Sequence, residues 1–321
     1  MNIANLVYGF LISLFGVMFI MPLFIDVLKK RNISQTVSEY SLEEYKQKAK
    51  TPIMGGLLFV VIPSVVYIAL DINGFLTHKM AFILLSYVLF CLVGFLDDLL
   101  IIIRKNNDGV SPLKKLIMEF IFTLVLYALF NDVITTYITI PFTNAVIDLG
   151  ILYVPFMILL FLAEANAVNF TDGMDGLCAG VSFIGLLFLF IMCYTNSEYS
   201  ICLLIICVLG GLLGYLKFNF HPAKIFMGDS GSLALGALFS AICVVINKEV
   251  ALAVIGCVFV LEMACVVIQQ VSVRAFHKRV FSYTPIHYAF SLKGYKEVKI
   301  VIGFYLVSFI FGLIGLFIGL H

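Results

Sequence analysis

The sequence predicts an all-α polytopic membrane protein of about ten transmembrane helices. Three observations predict it. Hydrophobic residues make up 62% of the 321 and charged ones only 12%, far from the balance of a water-soluble domain. Apolar runs of near membrane-crossing length recur along the whole chain, a bilayer core taking about 20 apolar residues per helix. Lysines and arginines gather in every second connection, the pattern of a chain that crosses back and forth under the positive-inside rule.

Taken in order, the first run covers residues 3–28. It has no basic region before it and no small-residue cleavage site after it, so it reads as a retained span rather than a removable signal peptide. Runs follow at 53–70, 80–96, 116–130, 149–165, 177–194, 201–216, 233–246, 251–273 and 298–320, the fourth and eighth being short. Between the fourth and fifth lies an uncharged stretch, 134–147, rich in threonine and holding Pro141; it reads either as an outward hairpin or as a loop. No solenoid-period repeat, low-complexity stretch or soluble boundary interrupts the pattern, so residues 1–321 are expected to be one membrane domain.

Orientation follows from the basic residues. Connections after odd-numbered spans hold Lys29, Lys30, Arg31, Lys46, Lys48 and Lys50, then Arg104, Lys105, Lys114 and Lys115. Lys217 and Lys224 follow, then Arg274, Lys278, Arg279, Lys293, Lys296 and Lys299, leaving only Lys79 and Lys248 for the opposite face. That face is therefore expected to be cytoplasmic, with both termini extracytoplasmic. A net charge of +1 without a long basic block argues against nucleic acid as a partner. The eight cysteines fall within or beside apolar runs and form no Cys-x-x-Cys pair, so they read as buried hydrophobes rather than disulfides or a zinc site.

Polar chemistry concentrates on the basic face. GFLDDLL at 94–100 places Asp97 and Asp98 between apolar residues at the end of the third span; carboxylates near hydrocarbon are costly and usually have a partner or a task, although an interfacial helix end with its acids in water reads the same way. NAVNFTDGMDGL at 166–177 crowds Asn169, Asp172 and Asp175 among glycines that let a ligand approach the backbone, or forms a tight turn in which Asp175 caps the next helix. NFHPAKIFMGDSGS at 219–232 ends with Asp229 beside glycines and serines just before an apolar helix. That arrangement suits phosphate oxygens or hydrated Mg²⁺, and equally a simple N-cap. TPIHYAFSLKG at 284–294 contributes His287, while Lys115 opens the fourth span as either a phosphate ligand or an interfacial anchor. Four clusters in four connections on one face look like parts of one site.

Carboxylates without a Cys/His set suggest a hard cation, and Mg²⁺ binds through few carboxylates plus substrate phosphates. Phosphoryl transfer, which needs charge neutralisation and positioning above all, becomes the leading chemistry. A transporter is the rival, but its acids should lie near the midplane on broken helices, and here only Glu164 and Glu262 lie deeper. Gly210-x-x-x-Gly214 and Gly315-x-x-x-Gly319 read as close helix packing.

The motifs GFLDDL, NAVNFTDGMDGL, FNFHPAKIFMGDSGSLALG and TPIHYAFSLKG, in this order, closely resemble the phospho-N-acetylmuramoyl-pentapeptide transferase family (MraY). The likeness extends to AKTPIMGGLL at 49–58, to the stretch 139–150 and to the segment 262–269, covering most of the chain. It implies a ten-helix, multi-pass enzyme of the bacterial plasma membrane with a cytoplasmic Mg²⁺ site. Undecaprenyl phosphate would attack the β-phosphate of UDP-MurNAc-pentapeptide, giving lipid I and UMP in peptidoglycan synthesis. Asp97 and Asp98 match the family's paired aspartates, one of them proposed to deprotonate or orient the lipid phosphate. Asp229 matches the acid associated with the metal, and Lys115 the basic residue that meets phosphate. Asn169, Asp172 and Asp175 match the loop near the nucleotide, and Asn219, Phe226 and Gln269 positions around the uridine and sugar-phosphate. A homodimer is a further implication. One departure stands out: the family's last loop carries three consecutive histidines, whereas this chain reads Ile286-His287-Tyr288-Ala289 and keeps only the first. A sister transferase using a UDP-N-acetylhexosamine for teichoic acid or surface polysaccharide, and a transporter or inactive scaffold, remain the alternatives.

Overall fold

A bilayer core offers no water to a backbone amide, so each apolar run must close its own hydrogen bonds as a helix. The computed structural model, which describes residues 3–31, 51–104, 109–143 and 145–321, follows this rule. Among the described residues nine helices are long and apolar enough to cross a membrane, and a tenth, shorter apolar helix joins them. They are α1 (Ile3–Lys30), α2 (Gly56–Leu70, the short one), α4 (His78–Arg104), α5 (Pro112–Phe130), α6 (Tyr153–Thr171), α7 (Leu177–Thr195), α8 (Tyr199–Asn219), α9 (Asp229–Ile246), α11 (Cys257–Phe276) and α13 (Glu297–Leu320). Short helices α3 (Ile72–Phe75), α10 (Glu249–Ile255) and α12 (Ile286–Leu292) complete the set. Lys46, Lys48, Lys50 and Lys105 lie outside the described residues, as does the start of the AKTPIMGGLL stretch.

Two differences from the sequence reading have physical causes, and one of its open alternatives is decided. The third span continues through Leu99–Ile103 to Arg104 because the apolar run continues, so Asp97 and Asp98 sit inside α4 rather than at its end. The ninth span is broken at Gly256, where α10 stops and α11 starts. The stretch 134–147 is a hairpin, with β1 (Tyr137–Thr139) antiparallel to β2 (Val146–Asp148) and Tyr137 opposite Asp148.

Helix α9 is enclosed along nearly its whole length, whereas α1, α5, α11 and α13 turn most of theirs outward. It packs against α4, α6 and α2, approaching α2 where Gly56 meets Gly231 and α6 where Gly236 meets Ala165. Gly210 and Gly214 bring α8 onto Phe10 and Leu14 of α1, and Gly315 and Gly319 bring α13 onto Ile255 and Met192, the close backbone approach that small residues permit. The cysteines are all free and, except for the half-buried Cys257, buried. The start of α1 and the end of α13 lie opposite the polar clusters. Gly9 packs against Leu203 and Leu70 at the far end of α2, and the His321 carbonyl accepts the Phe142 amide of the hairpin.

Candidate active site

The site is built from the crossing of α4 and α9. Gly94 presents no side chain, so the first residues of α9 lie directly on α4. One turn later Asp98 is buried, and its two carboxylate oxygens accept the Asp229 and Ser230 amides, each at 3.1 Å. These are two of the amides that the first turn of a helix leaves without an intrahelical partner, and negative charge is favoured there. Asp98 thus caps α9 from another helix and orients Asp229. The Asp229 carboxylate in turn receives Lys115 Nζ at 2.5 Å on one oxygen and Asn169 Nδ2 at 2.7 Å on the other. Asn169 also reaches Ser232 Oγ at 2.9 Å.

Asp97 is held differently. Its Oδ1 accepts the Val110 amide at 2.9 Å, and the residue lines a cavity of about 1100 Å³. Lys115, Asn166 and Asn169 share that cavity, and Leu159, Leu162, Met263 and Val266 make it apolar on the other side. Asp172 approaches from the connection after α6 and is bonded by the Gly228 backbone. Burial first, and the Asp229 charge second, push its carboxyl up to about 7. Asp97, Asp98 and Asp172 therefore gather around Asp229, which carries the Lys115 ion pair, in a set of oxygen donors suited to a hard divalent cation.

Glu119 is a member that motif reading missed. It is buried one turn after Lys115 and accepts Asn166 Nδ2 at 2.7 Å; the available signal was an acid four residues from Lys115 inside an apolar run.

The other predicted residues are placed apart from this cluster. Asp175 Oδ2 accepts the Ala223 amide at 3.0 Å and bonds His221 Nδ1 at 2.9 Å, while Glu297 approaches the same imidazole at 3.4 Å. Ligand atoms of Asp175, His221 and Glu297 all lie within 4.8 Å of one another. Asn219 spans two connections, accepting the Gly176 amide at 3.0 Å and donating to the Ile225 carbonyl at 2.9 Å. The half-buried Phe226 is fixed through its backbone, whose amide donates to Pro52 and whose carbonyl accepts from Gly55. Gln269 folds the segment after α11 back on itself, accepting the Val280 and Phe281 amides at 3.0 Å each. His287 is fully buried with Glu262, Nδ1 to Oε1 3.0 Å, and the second oxygen of Glu262 accepts the Ile286 amide at 2.8 Å. Its Nε2 has no partner among the described residues and faces the space left by Gly173. Tyr288 donates to the Gly173 carbonyl at 3.1 Å, so a phenol stands where the second histidine of the motif was expected.

The family model described as glycosyl transferase family 4 matches residues 80–247. A phospho-N-acetylmuramoyl-pentapeptide-transferase of Staphylococcus aureus (strain bovine RF122 / ET3-1) is 40% identical over 308 residues, covering 94% of this chain and 95% of the relative. One of Staphylococcus epidermidis is 39% identical over 318 residues, 97% and 98% of the two chains.

Proposed function

Because this chain belongs to the phospho-N-acetylmuramoyl-pentapeptide transferase family, we propose that the Asp97–Asp98–Lys115–Asn169–Asp229 cluster carries the family reaction. The protein is a multi-pass bacterial membrane transferase that makes lipid I for peptidoglycan. In that reaction an oxygen of a polyprenyl phosphate, here taken to be undecaprenyl phosphate, attacks the β-phosphorus of UDP-MurNAc-pentapeptide. The bond from that phosphorus to the bridging oxygen of the α-phosphate breaks, and UMP leaves.

One observation carries the residue assignment: side chains from α4, α5, α6 and α11 line a cavity that is polar on one side and apolar on the other, and two of its polar residues, Lys115 and Asn169, hold Asp229 of α9. Such a cavity suits a molecule with a phosphate head and a hydrocarbon tail. Asp97 reaches it and, as a carboxylate, can take the proton of the acceptor phosphate. Both oxygens of Asp98 are engaged by the start of α9, which suits a positioning role towards Asp229. Lys115 offers a cation to phosphate oxygens. His287, locked by Glu262, and Asp172 shape the nucleotide side, with Asp175, Asn219, Phe226 and Gln269 holding the connections that frame it. Mg²⁺ fits this donor set, because Asp97, Asp98 and Asp172 gather around Asp229, and among the described residues Lys115 is the cation bonded to that group. Asp229 would hold it, and when bound it neutralises phosphate charge. The basic connections support a cytoplasmic position for the site and extracytoplasmic termini, and the family likeness supports a homodimer.

The test is UMP release by purified protein with undecaprenyl phosphate and Mg²⁺, comparing UDP-MurNAc-pentapeptide with UDP-N-acetylglucosamine. Turnover of the first donor, lost in Asp97→Asn and Asp229→Asn and on chelation, is expected. Full activity in both variants would refute the residue assignment, and turnover of the second donor alone would move the chain to a sister activity.

A further inference from the structure

A second cavity, of about 500 Å³, lies beside the first. Gln269, Gln270, Arg274, Arg279, Tyr283 and Thr284 line it, and Gln270 lines the reaction cavity too, so the two are neighbours across one side chain. Its walls are built rather than incidental. Gln269 makes three hydrogen bonds to the backbone of Val280 and Phe281, and Ser272 Oγ donates to the Lys278 carbonyl at 2.8 Å. Together they fold the segment after α11 back over the end of that helix. His277 turns the chain in the left-handed region, φ 52°. The fold-back puts Arg274, from the helix, and Arg279, from the returning segment, on one cavity.

Elsewhere the lysines near acids are paired, Lys79 with Glu198 and Lys115 with Asp229. Neither Arg274 nor Arg279 meets a carboxylate among the described residues. Two unpaired guanidinium forks facing one cavity, with amide and hydroxyl groups around them, match carboxylate geometry.

We propose that this cavity is the subsite for the peptide of the sugar-nucleotide donor, with Arg274 and Arg279 receiving its C-terminal carboxylate. The assignment rests on the transferase reading above. A peptide joined through its amino end to the muramoyl group keeps that carboxylate free, and five residues reach at most about 17 Å. The cavity's position next to the reaction site, across Gln270, suits such a tether. An anionic lipid headgroup has the same charge, but its binding would not depend on the donor's peptide.

The experiment measures KM and kcat for UMP release in the presence of undecaprenyl phosphate by the full-length protein with three donors: UDP-MurNAc-pentapeptide, the same donor amidated at its C-terminus, and UDP-MurNAc without peptide. In the wild type, amidation is expected to raise KM about tenfold, the loss of a charge-assisted contact. In Arg274→Gln/Arg279→Gln, KM for the acid donor is expected to rise about tenfold or more relative to the peptide-free donor, with amidation adding little. Arg274→Lys/Arg279→Lys should recover part of the loss. Equal KM for acid and amidated donors in the wild type overturns the subsite without requiring a variant to fold. An equal rise for all three donors in the glutamine variant also overturns it and assigns the arginines to lipid or nucleotide. No UMP release from any donor refutes the transferase reading itself, and the subsite with it.

Discussion

Gly94→Ala tests whether the contact between α4 and α9 sets the position of Asp229. A methyl carbon built on Gly94 would lie 2.1 Å from both the carbonyl carbon and the oxygen of Asp229, where ordinary contact begins at 3.4 Å. The helices must therefore separate by about 1.3 Å, because backbone on a packed helix has no rotamer to yield. Asp98 lies one turn along α4, so the same separation strains its bonds to the Asp229 and Ser230 amides. Overpacking of this kind costs about 1–3 kcal/mol, opposed by about 1 kcal/mol of helix propensity gained on replacing glycine with alanine. The effect on turnover should be larger, since a displacement of about 1 Å in a catalytic arrangement can cost about 100-fold. Gly303→Ala is the control. A methyl there meets nothing within 4 Å, so only the propensity gain remains and stability should hold or rise. The assay is UMP release alongside thermal unfolding in detergent. Wild-type kcat/KM in Gly94→Ala, with the protein folded, would refute the claim that this crossing positions the site.

Two further outcomes follow from the connections around the cluster. The raised carboxyl of Asp172, about 7 when folded against 3.8 ordinarily, means that the unfolded chain loses this proton first as pH rises. Its favourable contribution is complete below about pH 4 and lost through pH 7; in chelated buffer Asp172→Asn should therefore gain thermal stability over wild type by more at pH 8 than at pH 5, and a pH-independent gap would contradict the burial argument. In Gly173→Ala the added methyl falls on His287 Nε2, which is buried and fixed on its other side by Glu262. A folded protein with strongly reduced lipid I formation is expected, and unchanged turnover would separate His287 from the reaction.

Fold class, span count and the location of polar groups were legible in the sequence because the bilayer leaves few choices. Every apolar run of sufficient length must be a helix, and GFLDDL, NFTDGMDG and MGDSGS stand out against hydrocarbon on that account. Helix periodicity says which residues share a face of one helix, but not which residue of another helix meets them. Only tertiary structure could separate the two adjacent aspartates, because the groups that distinguish them are the amides of Val110 on one side and of Asp229 and Ser230, more than a hundred residues away, on the other. For the same reason Asp175 joins His221 and Glu297 rather than Asp229, and Gln269 and His287 hold backbone and Glu262. Glu119 stayed hidden as an ordinary acid in an apolar helix until Asn166, on a different helix, was placed against it. What composition and spacing determined was the set of polar residues and the end of the bundle they occupy; what packing decided was their partners, because a buried polar group takes whichever donor or acceptor the neighbouring helix brings within about 3 Å.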